Sequence, residues 1–355
     1  MKEKKVGVKD IAREAGVAIS TVSHALNGTA PITDEIRNKV IDTARRLGYL
    51  RQRRVRATIS TLQSILLVVP AAAAIESETN FVTWTILESV RQISAQRGIR
   101  VIPYVTPDVG GDAEEIRSLA EQEEADAIIV FNEDLPEFIR SMSHDKRPVV
   151  LVNGVDPAML VDCVTPANRF GARLATDHLL ALGHRRIMHL TFGDRRTIRQ
   201  RLTGYQDSLR AANVEPSNDL IMHLNHFDPS VAEEAIGRWL EEGGLASGTT
   251  AIFCAADNLA LGTLRALAAA GVKVPQDISV LGFDDILLGE LANPPLSSVK
   301  IPLRAMGETA LEIAEQRLIA NDAKRPSQRL ELGCELVLRA SCAPPNGLDD
   351  GTKAV

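Results

Sequence analysis

Residues 6–28 read VGVKDIAREAGVAISTVSHALNG. Val8, Ile11, Ala12 and Ala15 recur at i, i+3, i+4 and i+7, which predicts one apolar face on a short helix that Gly16 ends. A second helix is expected from Ile19, with Val22, Ala25 and Leu26 facing inward and Asn27-Gly28 closing it. A third begins behind Thr33 as N-cap. Asp34 and Glu35 fill its first turn and Arg45 and Arg46 its last, matching the helix macrodipole at both ends, and Gly48 stops it. Two short helices about a glycine turn, braced by a third, make a helix-turn-helix unit whose second helix lies in the DNA major groove. Its outward positions are Ile19, Ser20, Thr21, Ser23 and His24. The same periodicity also suits a three-helix packing unit with no nucleic-acid role.

Charge favours the first of these. Residues 1–56 hold 13 Lys or Arg against 6 Asp or Glu, a net of +7, so the remainder carries −13 within a chain whose total is −6. A basic head on an acidic body is the pattern of a polyanion-binding module tied to a domain that DNA repels. After it, Arg51-Gln52-Arg53-Arg54-Val55-Arg56-Ala57-Thr58-Ile59 is basic and has no stable apolar face. Taken alone, it is a solvated linker.

From Ser64 onward, apolar runs of strand length alternate with helical segments. The runs at 65–69, 101–102, 127–130, 149–152, 187–190, 251–254 and 278–281 are expected to be buried parallel strands. Alternating strands and helices predict an α/β body of two doubly wound parallel-sheet lobes, with a ligand cleft beyond the strand C-termini. At 355 residues the chain exceeds one core of roughly 100–200 residues, so two or three domains are expected. With 45% hydrophobic and 24% charged residues, composition is that of a soluble globular protein.

Several functions are argued against. The first residues lead into a polar helix without the apolar stretch of a secretory signal, and no run approaches the ~20 apolar residues that span a bilayer. A cytoplasmic protein with no membrane role is expected. Cys163, Cys254, Cys334 and Cys342 form no CxxC pair and have no metal-spaced histidines nearby, so they are expected to be unreactive structural thiols, with no metal and no cofactor. A stand-alone sugar-binding protein of the transport type is the rival from another class, but a basic head has no place in it. An enzyme is weaker still: there is no GxxxxGK loop, no GxSxG elbow and no clustered metal ligands.

The opening stretch, with Arg45-Arg46-Leu47-Gly48-Tyr49, closely resembles the headpiece of the LacI/GalR family of bacterial repressors. The similarity continues through Thr176-Asp177-His178-Leu179, Leu182-Gly183-His184-Arg185-Arg186-Ile187, Arg201-Leu202-Thr203-Gly204-Tyr205, Asp257-Asn258-Leu259-Ala260-Leu261-Gly262 and Ser279-Val280-Leu281-Gly282-Phe283-Asp284-Asp285. The resemblance implies a periplasmic-binding-protein-like body and the following domains. They are a headpiece at 1–50, a hinge helix at 51–63, an N-terminal lobe at 64–164 and 297–329, a C-terminal lobe at 165–296 and 330–342, and a tail at 343–355. It implies base contacts from Ile19, Ser20 and His24, phosphate contacts from Thr21, Ser23 and Asn27, and a hinge whose Ile59 wedges into the minor groove.

In the cleft the resemblance implies that Arg201 and Asp257 hold ligand hydroxyls or a carboxylate. Asn153 adds an amide and Phe227 stacks on a ring, with Phe81, Trp84 and Asp284 as further contacts. Arg201 and Asp257 could instead be an ordinary ion pair across the lobes, and an aromatic on a helix such as Trp84 is more often core. His178 and His184 are expected to be structural. The implied partners are operator DNA, a sugar or sugar derivative, and a second copy of the chain. Without a leucine heptad in the tail, a homodimer is favoured over a tail-linked tetramer. Two departures stand out. Ala18 occupies the usual place of a capping Ser, at a cost of about 1 kcal/mol. His24, where Arg is common, cannot fork onto guanine.

Overall fold

Three helices form where the apolar spacing requires them: α1 (Val8–Ala15), α2 (Ile19–Asn27) and α3 (Asp34–Arg46). Ile11, Ala12, Ala15, Val22, Ala25, Val40 and Ala44 make one small buried core between them. Gly16 turns from α1 to α2 with φ +65, a conformation in which a side chain is strained. The computed structural model describes residues 8–27, 32–47, 62–71, 80–106, 111–193, 195–320 and 326–346.

The body holds two six-stranded sheets among the described residues. The first runs β11 (Arg329–Leu332), β5 (Asp162–Pro166), β4 (Val149–Val152), β3 (Ala127–Phe131), β1 (Ser64–Pro70), β2 (Arg100–Thr106), all parallel. Alternation along β1 explains its two covered faces. Ile65, Leu67 and Val69 pack with α4 (Phe81–Arg97) and α12 (Leu303–Ala320), whereas Leu66 and Val68 pack with α5 (Ala113–Gln122) and α6 (Pro136–Met142).

The second sheet runs β12 (Glu335–Val337), β10 (Ser297–Lys300), β9 (Ser279–Asp284), β8 (Ala251–Cys254), β6 (Ile187–Phe192), β7 (Ile221–Leu224), parallel except that β12 is antiparallel to β10. Its faces are covered by α7 (Asn168–Ala181) and α8 (Arg196–Ala211) on one side, and by α9 (Pro229–Glu241) and α10 (Asp257–Ala269) on the other. A short α11 (Leu287–Glu290) follows β9.

Three differences from expectation have physical reasons. β2 is an edge strand, not a buried one, and its Val105 is 51% exposed. Several strands lack an apolar run because their polar residues are satisfied by distant partners. In β5, Asp162 is buried by accepting from Arg317 Nε at 2.6 Å and Nη2 at 2.5 Å. In β10, the buried Ser297 N–H donates to Ser341 Oγ at 2.8 Å. Finally, β10 pairs with β9 and β11 with β5, so residues 297–300 lie in the C-terminal lobe and 330–332 in the N-terminal lobe. The expected changes at 297 and 330 therefore fall near 301 and 333.

The chain passes between the lobes three times: between β5 and α7, between β10 and α12, and between β11 and β12.

Candidate functional site

Strand C-termini from both lobes open onto one cavity of about 290 Å³, at the small end of the roughly 300–1,000 Å³ usual for ligand clefts. The residues that end or follow the strands line it: Pro70 at the end of β1, Asn132 and Asn153 after β3 and β4, Gly193 after β6, Asn225 after β7, Ala256 after β8, and Asp284 at the end of β9. Helix N-termini add Asn80–Thr83, Arg195, Thr197, Ile198 and Asn258.

At the floor, Arg201 is only 4% exposed and held from three sides. Its Nε donates to Asn168 Oδ1 at 2.9 Å, and Nη1 donates to the Ala255 carbonyl at 2.5 Å and to Asp284 Oδ1 at 3.1 Å. The guanidinium carbon sits 3.7 Å from the centre of the Phe283 ring, a cation–π contact. Asp284 takes φ +117, a left-handed-side conformation that a non-glycine residue holds only at a cost. Burial pushes its carboxyl up to about 6, against the pull of Arg201.

The walls are aromatic and amide. Phe227 stacks against His226 at 4.6 Å and tilts against Phe192 at 5.5 Å, and Phe81 faces in from the first turn of α4. Asn153 Nδ2 donates to Asn132 Oδ1 at 2.8 Å, while Asn132 Nδ2 donates to Thr83 Oγ1 at 2.9 Å. Both asparagines hold positive φ. Of the residues expected in the cleft, Arg201, Asn153, Phe227, Phe81 and Asp284 line the cavity.

Two do not. Asp257 is fully buried behind the cavity wall, where Oδ2 accepts from the Ile286 N–H at 2.9 Å and Oδ1 accepts from Ser298 Oγ at 2.6 Å. Burial and then the nearby Asp284 carboxylate push its pKa well up. Its work is to pin the turn after β9, and the approach is so close that a Cβ on Gly282 would meet its Oδ1 at 2.0 Å. The next residue, Asn258, faces the cleft in its place. Trp84 turns away to the outer side of its lobe, lining a groove with Leu67, Val69, Val101 and Pro103.

Sequence reasoning missed Arg195, Thr197, Ile198, Asn132, Asn225 and Asn258, all of which line the cavity. The expected rule that ligands gather beyond strand C-termini would have found Asn132 and Asn225, which directly follow or closely trail strands. His184 is structural, held by Thr250 Oγ1 and the Ala343 carbonyl, both at 2.9 Å. The cysteines are buried or half-buried and free, and desolvation raises the thiols of Cys163, Cys334 and Cys342 to about 11 and that of Cys254 to about 12. Among the described residues no cluster could hold a metal ion, and no helix is long and apolar enough to cross a membrane.

In the headpiece, α2 presents Ile19, 50% exposed, and exposed Ser20 at its start. Thr21, Ser23 and His24 follow, half-buried. The Asn27 side chain, residues 51–61 and with them Ile59 lie outside the described residues.

A three-helix DNA reader attached to a two-lobed receptor with a central cleft defines a ligand-responsive transcription regulator. Residues 7–52 match the family model for bacterial regulatory proteins of the lacI family, and residues 176–342 match that of a periplasmic binding protein-like domain. The chain is 30% identical over 342 residues to the HTH-type transcriptional repressor PurR of Vibrio vulnificus (strain CMCP6), covering 94% of this chain and 97% of the relative. It is also 30% identical over 350 residues to the ribose operon repressor of Haemophilus influenzae, covering 94% and 96%.

Among solved structures, a complex of the transcriptional regulator CelR with cellobiose aligns with TM-score 0.69 at 26% identity, covering 95% of this chain and 99% of that one. The lac repressor dimer bound to operator and the anti-inducer ONPF shares the fold, with TM-score 0.67 at 22% identity, covering 96% and 100%. This chain belongs to the LacI family of bacterial transcription regulators.

Proposed function

We propose that the chain represses transcription in the cytoplasm by binding a near-palindromic operator as a homodimer, and that a compact polyhydroxylated ligand in the interlobe cleft sets its affinity for DNA. The observation that carries the ligand is the cavity itself. A polar floor of Arg201 and Asp284 meets walls of Asn153, Phe81 and Phe227, the combination that grips a sugar through its hydroxyls and its apolar ring face. The named pairing of CelR with cellobiose, and a ribose operon repressor among the relatives, point the same way.

In this reading Ile19, Ser20 and His24 read bases, Thr21, Ser23 and Asn27 hold phosphates, and Ile59 kinks the duplex from the minor groove. Ligand and DNA are linked: whichever lobe arrangement the ligand prefers is transmitted to the paired headpieces, and each ligand alters the affinity for the other by the same factor. The chain acts as a regulator and not as a catalyst, so ligand is recovered unchanged.

The test uses the full chain. A duplex selected from random DNA should be palindromic, and a sugar and sugar-acid panel screened by thermal shift should yield a hit that alters retention of that duplex. No preference for any duplex over random DNA, with or without hits, removes the regulator reading and favours a stand-alone binding protein. Unchanged operator affinity and bending in Ile59→Gly removes the wedge alone.

A further inference from the structure

The cleft contains a cation that forms no salt bridge among the described residues. Arg195 enters from the loop between β6 and α8 and lines the cavity. Its Nη2 donates to the Asn153 carbonyl of the opposite lobe, and that is its side chain's one hydrogen bond among the described residues. Its Nε is shielded from solvent and has no hydrogen-bond partner among the described residues. Asp134, Glu133 and Asp284 lie near enough to attract it, yet desolvation outweighs them and its pKa is lowered.

Those carboxylates are already engaged. Asp134 Oδ2 accepts from the Arg196 N–H at 2.7 Å, Glu133 Oε1 accepts from the N–H groups of Asp134 and Leu135 at 2.9 and 2.6 Å, and Asp284 is paired with Arg201. Beside it, Arg201 is nine-tenths buried, and its Nη2, unlike its other two nitrogens, has no hydrogen-bond partner among the described residues. A solvent-shielded guanidinium nitrogen without a partner, as Arg195 Nε is, costs free energy until an acceptor fills it.

The surrounding backbone has the same sign. The helices beginning at Phe81, Arg196 and Asp257 all start at the cavity, and in none does the N-cap residue's own side chain cap the helix, although Asp134 of the opposite lobe accepts from the first N–H of the second. Their aligned N–H groups place partial positive charge around the space that Arg195 and Arg201 flank.

We propose that the ligand of this cleft is an organic oxyanion, a carboxylate or phosphate ester, received by the free edges of Arg195 and Arg201. This rests on the cleft being the effector site and narrows its ligand to the acidic derivatives of the compact polyol. Because Arg195 also reaches Asn153 across the cleft, an anion there completes a bridge between the lobes.

Inorganic phosphate is the probe, added to the full chain in a thermal-shift titration at fixed ionic strength balanced with sodium chloride. Wild type should be stabilised in a saturable way. Arg195→Met should lose the response, with apparent affinity falling roughly tenfold or more, the weight of one charge-assisted hydrogen bond. Arg195→Lys should keep part of it. Without phosphate, Arg195→Met should melt no lower than wild type, since it removes a desolvated charge that forms no salt bridge; a merely structural arginine would lower it.

Gluconate and glucose 6-phosphate, each against glucose, then separate the carboxylate from the phosphate source. No phosphate response in wild type, or an equal response in Arg195→Met, overturns the proposal. Neutral sugars that stabilise wild type and Arg195→Met alike while altering operator retention would overturn it too, yet leave the effector cleft standing.

Discussion

Replacing Asp257 separates a ligand contact from a structural pin. Its carboxylate receives two buried donors, the Ile286 N–H at 2.9 Å and the Ser298 hydroxyl at 2.6 Å, and it lines no part of the cavity. Asp257→Ala leaves both donors unsatisfied at about 1–3 kcal/mol each, partly offset by relief of a buried charge, for a net loss of about 2–3 kcal/mol. At about 2–4 °C per kcal/mol for a body of this size, the melting temperature should fall by roughly 5–10 °C. Asp257→Asn keeps an acceptor for one donor and discards the charge, so it should stay within about 1 kcal/mol of wild type. Differential scanning calorimetry of the full chain reads both. If Asp257→Ala melts like wild type, or if Asp257→Asn unfolds as early as Asp257→Ala, the pinning argument is wrong.

Other consequences are equally open to measurement. Asp284 has a folded pKa of about 6, above its ordinary 3.8, so the native state binds more protons than the unfolded one between these values. Its ionisation therefore costs stability as pH rises through that window, by about 3 kcal/mol in all. Asp284→Asn lacks this cost: its melting temperature should gain on wild type from pH 4 to 6 and hold level above 7, and a pH-independent difference contradicts it. Ile11, fully buried in the small headpiece core, should cost about 2–5 kcal/mol on truncation to Ala. Such a loss removes DNA retention while leaving the body's melting transition in place. Gly262→Ala would drive a Cβ to 2.0 Å from the Pro229 carbonyl oxygen, forcing α9 and α10 apart at about 1–3 kcal/mol, read as an earlier transition of the body.

Much of the fold was legible because burial and periodicity coincide. β4 and β8 are continuous apolar runs covered on both faces, and α1 carries its core at helical spacing. β5 and β10 were hidden because a strand that buries Asp162 or Ser297 depends on Arg317 or Ser341, each more than 40 residues away. The cleft was legible at Arg201, Asn153, Phe227, Phe81 and Asp284, whose positions follow strands or open helices. Asp257 and Trp84 stand on the cleft-facing ends of helices, but which way a side chain turns there is set by tertiary partners. For Asp257 these are Ser298 and Ile286; for Trp84, the strands beneath α4. Arg195 was overlooked because, in a run of arginines at 195, 196, 199 and 201, nothing local tells the desolvated one from its wetter neighbours.

The triple passage of the chain between the lobes limits what any occupant of the cleft can bring about. A single tether would let one half swivel freely, whereas three side by side behave like the knuckles of a door, leaving one easy axis and resisting twist and slide. A molecule gripped anywhere along the opening is therefore converted into the same swing. Chemically different occupants can differ in how far they drive that movement, but hardly in its direction.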